Sequence, residues 1–314
     1  MQCPRLDELP PVAGGGDSRG WPYDRESTRL AATAPDGGEW PRISVVTPSY
    51  EQAPFLEKTL RSILLQGYPN LELIVIDGAS RDGSLAIIER YAPYLSHWVC
   101  EPDGGQSDAL NKGFARASGE ILSWLNSDDI FLPDTLAAVV DARRRDPDCD
   151  AWIGLGHKVD ERGRLVHVSP RLDLSLEGVL DWPTNHFAQP ACFFSRRAWE
   201  LAGPLSTELH YCMDFDLWLR MLEGGLQFAP IERVLALMLA HPAAKTTGAP
   251  ERMLMEIALV MDRHGAHQLA RRTLDEMADE LSRFRRYKSL IDRSPLWKPL
   301  LPLWKRLREK ILSR

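Results

Sequence analysis

The chain has 314 residues, 44% of them hydrophobic, enough for one large domain or two small ones around a sizeable core. Its net charge of -6 is unevenly divided, -15 before residue 281 and +9 from there on, which argues against a nucleic-acid-binding body and for a basic tail with its own partner. Five widely spaced cysteines, Cys3, Cys100, Cys149, Cys192 and Cys212, argue against a disulfide framework or a Cys-based zinc site, and no signal-type segment or run of 18 apolar residues is present, so the expected setting is the cytoplasm.

Residues 1–40 are rich in Pro and Gly and lack apolar periodicity, the pattern of a flexible leader outside the fold. Order is expected from Ile43 to Thr47, a buried strand broken by Pro48, followed by a helix carrying Leu56, Leu60, Ile63 and Leu64. A second strand, Leu71 to Asp77, ends in the turn Asp77-Gly78-Ala79-Ser80-Arg81-Asp82-Gly83. Helix and strand alternate again through Ser84 to Tyr91 and His97 to Cys100, whose polar tip runs from Glu101 to Gln106, and then a helix from Asp108 to Ala117. Such βαβ units make the strands parallel and the crossovers right-handed, so the polar tips open on one edge of the sheet.

The fourth strand, Ile121 to Leu125, ends in Asn126-Ser127-Asp128-Asp129. Adjacent carboxylates at a strand tip fit a divalent metal carrying a diphosphate, or the N-cap of the helix that begins near Pro133; the tip alone leaves both open. After that helix the rhythm changes: a strand from Ala151 to Leu155, a hairpin turning at Asp160 to Gly163, a strand from Ala191 to Phe194, a helix from Asp214 carrying Phe215, Trp218, Leu219 and Leu222, and two strands, Leu226 to Ala229 and Val234 to Leu239. His241-Pro-Ala-Ala-Lys245-Thr246 follows, then helices from about Pro250 to His264 and Ala266 to Arg286, and a tail in which Trp297, Leu300, Trp304, Leu307 and Ile311 recur among basic residues.

Five segments, in this order, resemble the motifs of family 2 inverting glycosyltransferases of the GT-A fold: Ile43 to Tyr50, Asp77 to Gly83, Glu101 to Gly113, Asn126 to Asp129, and Met213-Asp-Phe-Asp-Leu-Trp-Leu-Arg220. The resemblance implies a Rossmann-like, mostly parallel central sheet flanked by helices, divided as a leader (1–40), a glycosyltransferase domain (41–248) and a helical extension with a basic amphipathic tail (249–314). It implies transfer of a sugar from a nucleoside diphosphate donor to a carbohydrate or lipid-linked acceptor hydroxyl, in cell-surface polysaccharide or glycolipid synthesis, with Mg²⁺ or Mn²⁺ as cofactor. Pro48, Tyr50 and Glu51 would lie by base and ribose, and Asp77 would accept from the base. Asp103 and Asn111 would line the sugar or ribose, and Asn126 would reach ribose or a metal-bound water. Asp128, Asp129 and His241 would serve the metal, and Asp214 would be the general base, with Asp216 its competitor. Two positions depart from the pattern: Asn126 stands where the family has the first Asp of Asp-x-Asp, and Met213 where it has Glu. A nucleotidyltransferase, or a scaffold of the same fold without catalysis, is the alternative. The basic tail is expected to touch the inner membrane surface.

Overall fold

The computed structural model describes residues 1–12, 19–169, 172–241 and 244–293; the basic tail from Trp297 to Ile311 lies outside them. The chain divides into two compact units, Met1–Pro250 and Glu251–Arg314. In chain order the first contains β1 (Ile43–Ser49), α1 (Ala53–Leu64), β2 (Leu71–Asp77), α2 (Ser84–Tyr91), β3 (His97–Cys100), α3 (Gln106–Phe114), β4 (Ile121–Trp124), β5 (Ile130–Phe131), α4 (Thr135–Arg145), β6 (Ala151–Asp160), β7 (Leu165–His167), α5 (Leu176–Leu180), α6 (Trp182–Asn185), β8 (Cys192–Ser195), α7 (Arg196–Ala202), α8 (Met213–Glu223), β9 (Phe228–Ala240) and α9 (Lys245–Gly248). The second begins with α10 (Pro250–Arg263) and continues as α11 (His267–Arg293). Among the described residues no helix is long and apolar enough to cross a membrane.

The sheet runs β3-β2-β1-β4-β8-β6-β9-β5, with β7 paired to β6. Strands β1 to β4 are mutually parallel, as their alternation with helices requires. Beyond β4 the sheet is mixed: β8 is antiparallel to β4 and β6, β9 is parallel to β6, and β5 is antiparallel to β9. Strands β1 and β4 are buried along their whole length, which their near-continuous apolar runs anticipate. Pro48 does not break β1. The ladder to β4 ends at Val46, so the N–H that proline lacks has no partner there to lose.

One long β9 replaces the two short strands expected between Leu226 and Leu239. It pairs with β6 from Ala151↔Phe228 to Asp160↔Ala240, absorbing bulges on either side of Leu155. At Gly156 an added Cβ would lie 2.2 Å from Cβ of Ala188, so glycine is required for the segment after α6 to lie against this ribbon. The consequence is positional. A ribbon of this length carries His241, the residue after β9, back to the tip of β4.

The leader is not outside the fold. Cys3 (1% exposed), Leu9 (7%) and Trp40 (6%) join the core cluster with Leu65, Tyr68 and Tyr91. The organising group is Arg61 of α1, 3% exposed, which donates to the carbonyls of Pro22 (3.2 Å) and Pro10 (3.0 Å) and to Tyr91 Oη (3.1 Å). Pro-rich backbone forms no ladder of its own and keeps its carbonyls available. A buried guanidinium needs such acceptors. Trp21 Nε1 also donates to Phe131 O (2.6 Å), and Tyr68 Oη to Pro41 O (2.6 Å). Composition recorded the low periodicity but not the acceptor demand of one buried arginine. Deleting residues 1–38 removes both carbonyl acceptors of Arg61, leaving it Tyr91 Oη, and uncovers this apolar face. The expected cost is about 4 kcal/mol or more, and the melting temperature should fall by roughly 10 °C; a mobile leader would leave the thermal melt, followed by circular dichroism, unchanged.

Candidate active site

The tip of β4 is held from the backbone outward. Asp129 N donates to Asn126 O (3.0 Å), and Thr59 Oγ1 of α1 reaches the carbonyls of both Ser127 (2.9 Å) and Asp129 (2.7 Å). This turn sends the two carboxylates in opposite directions. Asp129 points inward, 6% exposed, and accepts from Leu239 N (3.3 Å) and Asn126 Nδ2 (3.4 Å). Burial, and then the charge of Asp128, raise its pKa well above the usual carboxylate range. Asp128 faces outward, and its Oδ2 lies 3.0 Å from Nε2 of His241, whose ring packs on Phe55 with centroids 4.6 Å apart. Neither carboxylate caps a helix: α4 starts at Thr135, with Asp134 in the N-cap position.

A chain of amides flanks the pair. Gln106, the first residue of α3, donates from Nε2 to Asn126 Oδ1 (2.7 Å); Asn126 Nδ2 lies 3.4 Å from Gln189 Oε1, and Gln189 Nε2 donates to Trp124 O (2.9 Å). Lys245 Nζ donates to Gln106 Oε1 (2.8 Å) and to His210 O (3.2 Å). Neither glutamine was singled out from sequence. Gln106 carried a weak signal as the end of a polar strand tip, whereas Gln189 meets Asn126 only through the approach of the ribbon at Gly156.

On the β1–β3 side of the same edge, Tyr50 is 64% exposed, and Glu51 is held at φ +54° by two bonds, its N–H to Ser80 Oγ (2.8 Å) and its Oε1 from Arg81 N (2.8 Å). Asp103 accepts from Gly105 N (2.8 Å). Gly78 separates Tyr50 from Asp103: a Cβ there would meet Asp103 Oδ2 at 2.9 Å and Tyr50 Cδ2 at 3.2 Å. A side chain at 78 would therefore fill the notch between ring and carboxylate. Pro48 is buried within β1, and Ser49 Oγ, buried at its tip, has no protein partner among the described residues.

Two expected ligand contacts are otherwise engaged. Asp77 is fully buried, and its oxygens accept from Ser80 N (2.8 Å), Ser80 Oγ (2.7 Å) and Cys100 Sγ (3.2 Å). It builds the turn that follows β2. Asn111 uses both ends of its amide on one backbone position, donating to Leu205 O (2.9 Å) and accepting from Leu205 N (2.9 Å). It straps the segment before α8 to α3, an attachment extended by Ser107 Oγ, 3.4 Å from Leu209 O. Both polar side chains satisfy local backbone, a demand that strand-tip position does not reveal.

The acidic start of α8 separates its two carboxylates by environment. Asp216 is 7% exposed and paired with Arg220 Nε at 2.9 Å, one helical turn on. Asp214 is half-buried in the first turn, after the N-cap residue Cys212. Its charge, second to burial, raises the thiol of Cys192 well above its usual range. Next to Asp214 in sequence, the Phe215 ring stacks on Trp182 at 4.7 Å.

The donor set fits a hard divalent cation at Asp128 and His241. Their 3.0 Å separation matches that of neighbouring ligands in an octahedron with bonds of about 2.1 Å. Asp129, expected as a ligand, does not belong to this set, because its carboxylate is buried and turned to Leu239 and Asn126. Among the described residues no three His, Cys, Asp or Glu side chains form a complete cage, so water and phosphate oxygens would supply the remaining positions.

Comparison with known proteins gives a consistent picture. The family described as Glycosyl transferase family 2 matches residues 44–201. An uncharacterized glycosyltransferase of Mycobacterium tuberculosis is 40% identical over 143 residues, 45% of this chain and 53% of its own length. The putative teichuronic acid biosynthesis glycosyltransferase TuaG of Bacillus subtilis is 37% identical over 99 residues, covering 31% and 39%. The first of these matches thus spans about half the length of the curated relative. Among solved structures, S. aureus TarS 1-349 in complex with UDP superposes with a TM-score of 0.56 at 18% identity, over 84% of this chain and 78% of the other. The mannosyltransferase PcManGT from Pyrobaculum calidifontis, in complex with GDP-Man and Mn²⁺, gives 0.54 at 19% identity, over 82% of each. The fold is thus the GT-A type that the motifs imply. With half its length inside the family match, from β1 through α7, the chain belongs to glycosyl transferase family 2.

Proposed function

We propose that this protein transfers a sugar from a nucleoside diphosphate sugar to an acceptor hydroxyl with inversion, supported by a divalent metal. The observation that carries the reading is the Asp128–His241 pair at the tip of β4, on the edge where Tyr50 and Asp103 line a notch. In an open α/β sheet that edge is where nucleotides bind. Bound there, Mg²⁺ or Mn²⁺ would offset the charge of the diphosphate leaving group. Tyr50 offers an exposed ring to a base, Asp103 lines the notch beside it, Glu51 follows Tyr50 at the same sheet edge, and Asn126 lies beside Asp128 with its amide oriented by Gln106.

Asp214 is the base in this proposal. Inversion requires one carboxylate to take the proton from the acceptor hydroxyl as the sugar is attacked. Asp216 is neutralised by Arg220, whereas Asp214 stands half-exposed at the start of α8. The half-buried Trp182 ring, backed by the buried ring of Phe215 on which it stacks, offers an apolar face for a carbohydrate acceptor. The UDP bound by TarS, the GDP-Man bound by PcManGT and the teichuronic acid biosynthesis in the description of TuaG support a donor of this class and an acceptor in surface polysaccharide or glycolipid synthesis. A cytoplasmic setting, with the tail beyond Ser294 touching the inner membrane face, completes the proposal.

The activity is tested by screening nucleoside diphosphate sugars for release of nucleoside diphosphate, with and without EDTA. No release from any donor would leave a non-catalytic scaffold. Asp128→Asn is expected to weaken Mn²⁺-supported nucleotide binding, read by calorimetry, by about 100-fold, whereas Asp129→Asn should stay within about tenfold of wild type and act on the melting temperature instead. Equal losses in the two variants would return Asp129 to the metal.

Transfer separates the α8 carboxylates. Asp214→Asn should slow turnover by about 10²-fold or more with nucleotide binding retained. Asp216→Asn leaves Arg220 without its partner and should cost about 1–3 kcal/mol of stability, with transfer reduced only in proportion to unfolding. The opposite pattern would make Asp216 the base.

A further inference from the structure

Helix α11 of the second unit has 27 residues, a rod of about 40 Å at the α-helical rise. Its first turns close against α10: Ala270 (4% exposed) and Thr273 (6%) are buried, and Thr273 Oγ1 contacts Met261 Sδ at 3.9 Å. Beyond that contact, every residue from Ala278 to Lys288 is exposed. An isolated helix of this length is marginal in water, and helices in proteins are held mainly by packing an apolar face. The apolar face exists. Leu274 (47% exposed), Met277, Leu281 (47%) and Phe284 (64%) follow one another at spacings of three, four and three residues, the seam of a two-helix coil.

Charge selects what covers the seam. Asp275, Glu276, Asp279 and Glu280 fall in the half before Leu281, and Arg283, Arg285, Arg286 and Lys288 in the half after it. A parallel copy would lay acid on acid and base on base. A reversed copy lays the acidic half on the basic half twice, about a two-fold axis between Leu281 and Phe284, and such a contact is self-complementary and closed. An anionic membrane would attract the second half but repel the four carboxylates on the first. We infer that α11 is a self-association element, and that two copies of the chain pair in antiparallel sense about its middle, Leu281 of each against Phe284 of the other, with Asp279 and Glu280 of each facing Arg286 and Arg285 of the other.

Sedimentation velocity of the full chain over about a hundredfold range of concentration tests this by mass action. The expected result is a monomer–dimer equilibrium that weakens in high salt. Leu281→Glu with Phe284→Glu, at two exposed positions, should raise the dimer dissociation constant by at least about tenfold with the melting temperature unchanged. Arg283→Glu with Arg286→Glu cancels the net positive charge of residues 283–288 and should also disperse an antiparallel dimer, whereas a parallel one, where like already meets like, would not lose affinity. A monomer at every concentration, a dimer indifferent to either pair of substitutions, or a monomer whose binding to phosphatidylserine vesicles is abolished by the Leu281/Phe284 pair would overturn the inference.

Discussion

The geometry of the site depends on how the tip of β4 accommodates two adjacent carboxylates. Left side by side in a partly buried turn, Asp128 and Asp129 would repel, and the loss would fall on the turn itself. The fold separates them: Thr59 fixes the backbone so that one side chain turns in and the other out. The inward carboxyl is held by Leu239 N of β9 and by Asn126, and the outward one meets His241, two residues beyond Leu239. One strand therefore serves both halves of the division. A shorter β9, or one in another register with β6, would remove the inward acceptor's donor and the outward carboxylate's partner together.

The early half of the domain was legible because its physics is local. Apolar runs of strand length, stopped by Gly and Pro and separated by helical periodicity, can mean little except parallel βαβ units, and β2, α2, β3 and α4 lie where the pattern puts them. What sequence did not reveal lies at long range. The leader docks because Arg61, in a helix that reads as amphipathic, is buried and needs carbonyl acceptors from residues far behind it. Asp77 and Asn111 were marked by position, and position was right about the edge of the sheet but silent about which polar atoms the backbone had already claimed. Gln189 joins Asn126 across more than sixty residues, and no periodicity encodes that meeting.

The two departures from the family pattern become intelligible from packing. Asn126 is flanked by Asp129 Oδ2 and Gln189 Oε1, both acceptors, and it offers an N–H₂ group to them while its carbonyl receives Gln106. A carboxylate at 126 would face two acceptors and add a third charge beside Asp128 and Asp129. An amide removes that conflict without changing shape. Met213, the first residue of α8, is 5% exposed. A glutamate there would have to bury its charge or repack the turn, whereas Asp214, the next residue, is half-exposed.

Helix α3 then links what would otherwise be two separate regions. Its first residue, Gln106, supports Asn126 at the β4 tip, and Ser107 and Asn111, on the same helix, hold Leu209 and Leu205 in the segment that leads into α8. Lys245 closes the circuit by donating to Gln106 and to His210 O at once. The start of α8, and with it Asp214, is therefore positioned from the same helix that positions Asn126. A shift of α3 by an ångström would displace both, and geometry held this tightly is what transfer between two bound substrates demands, since reacting groups must be aligned to within a fraction of that distance.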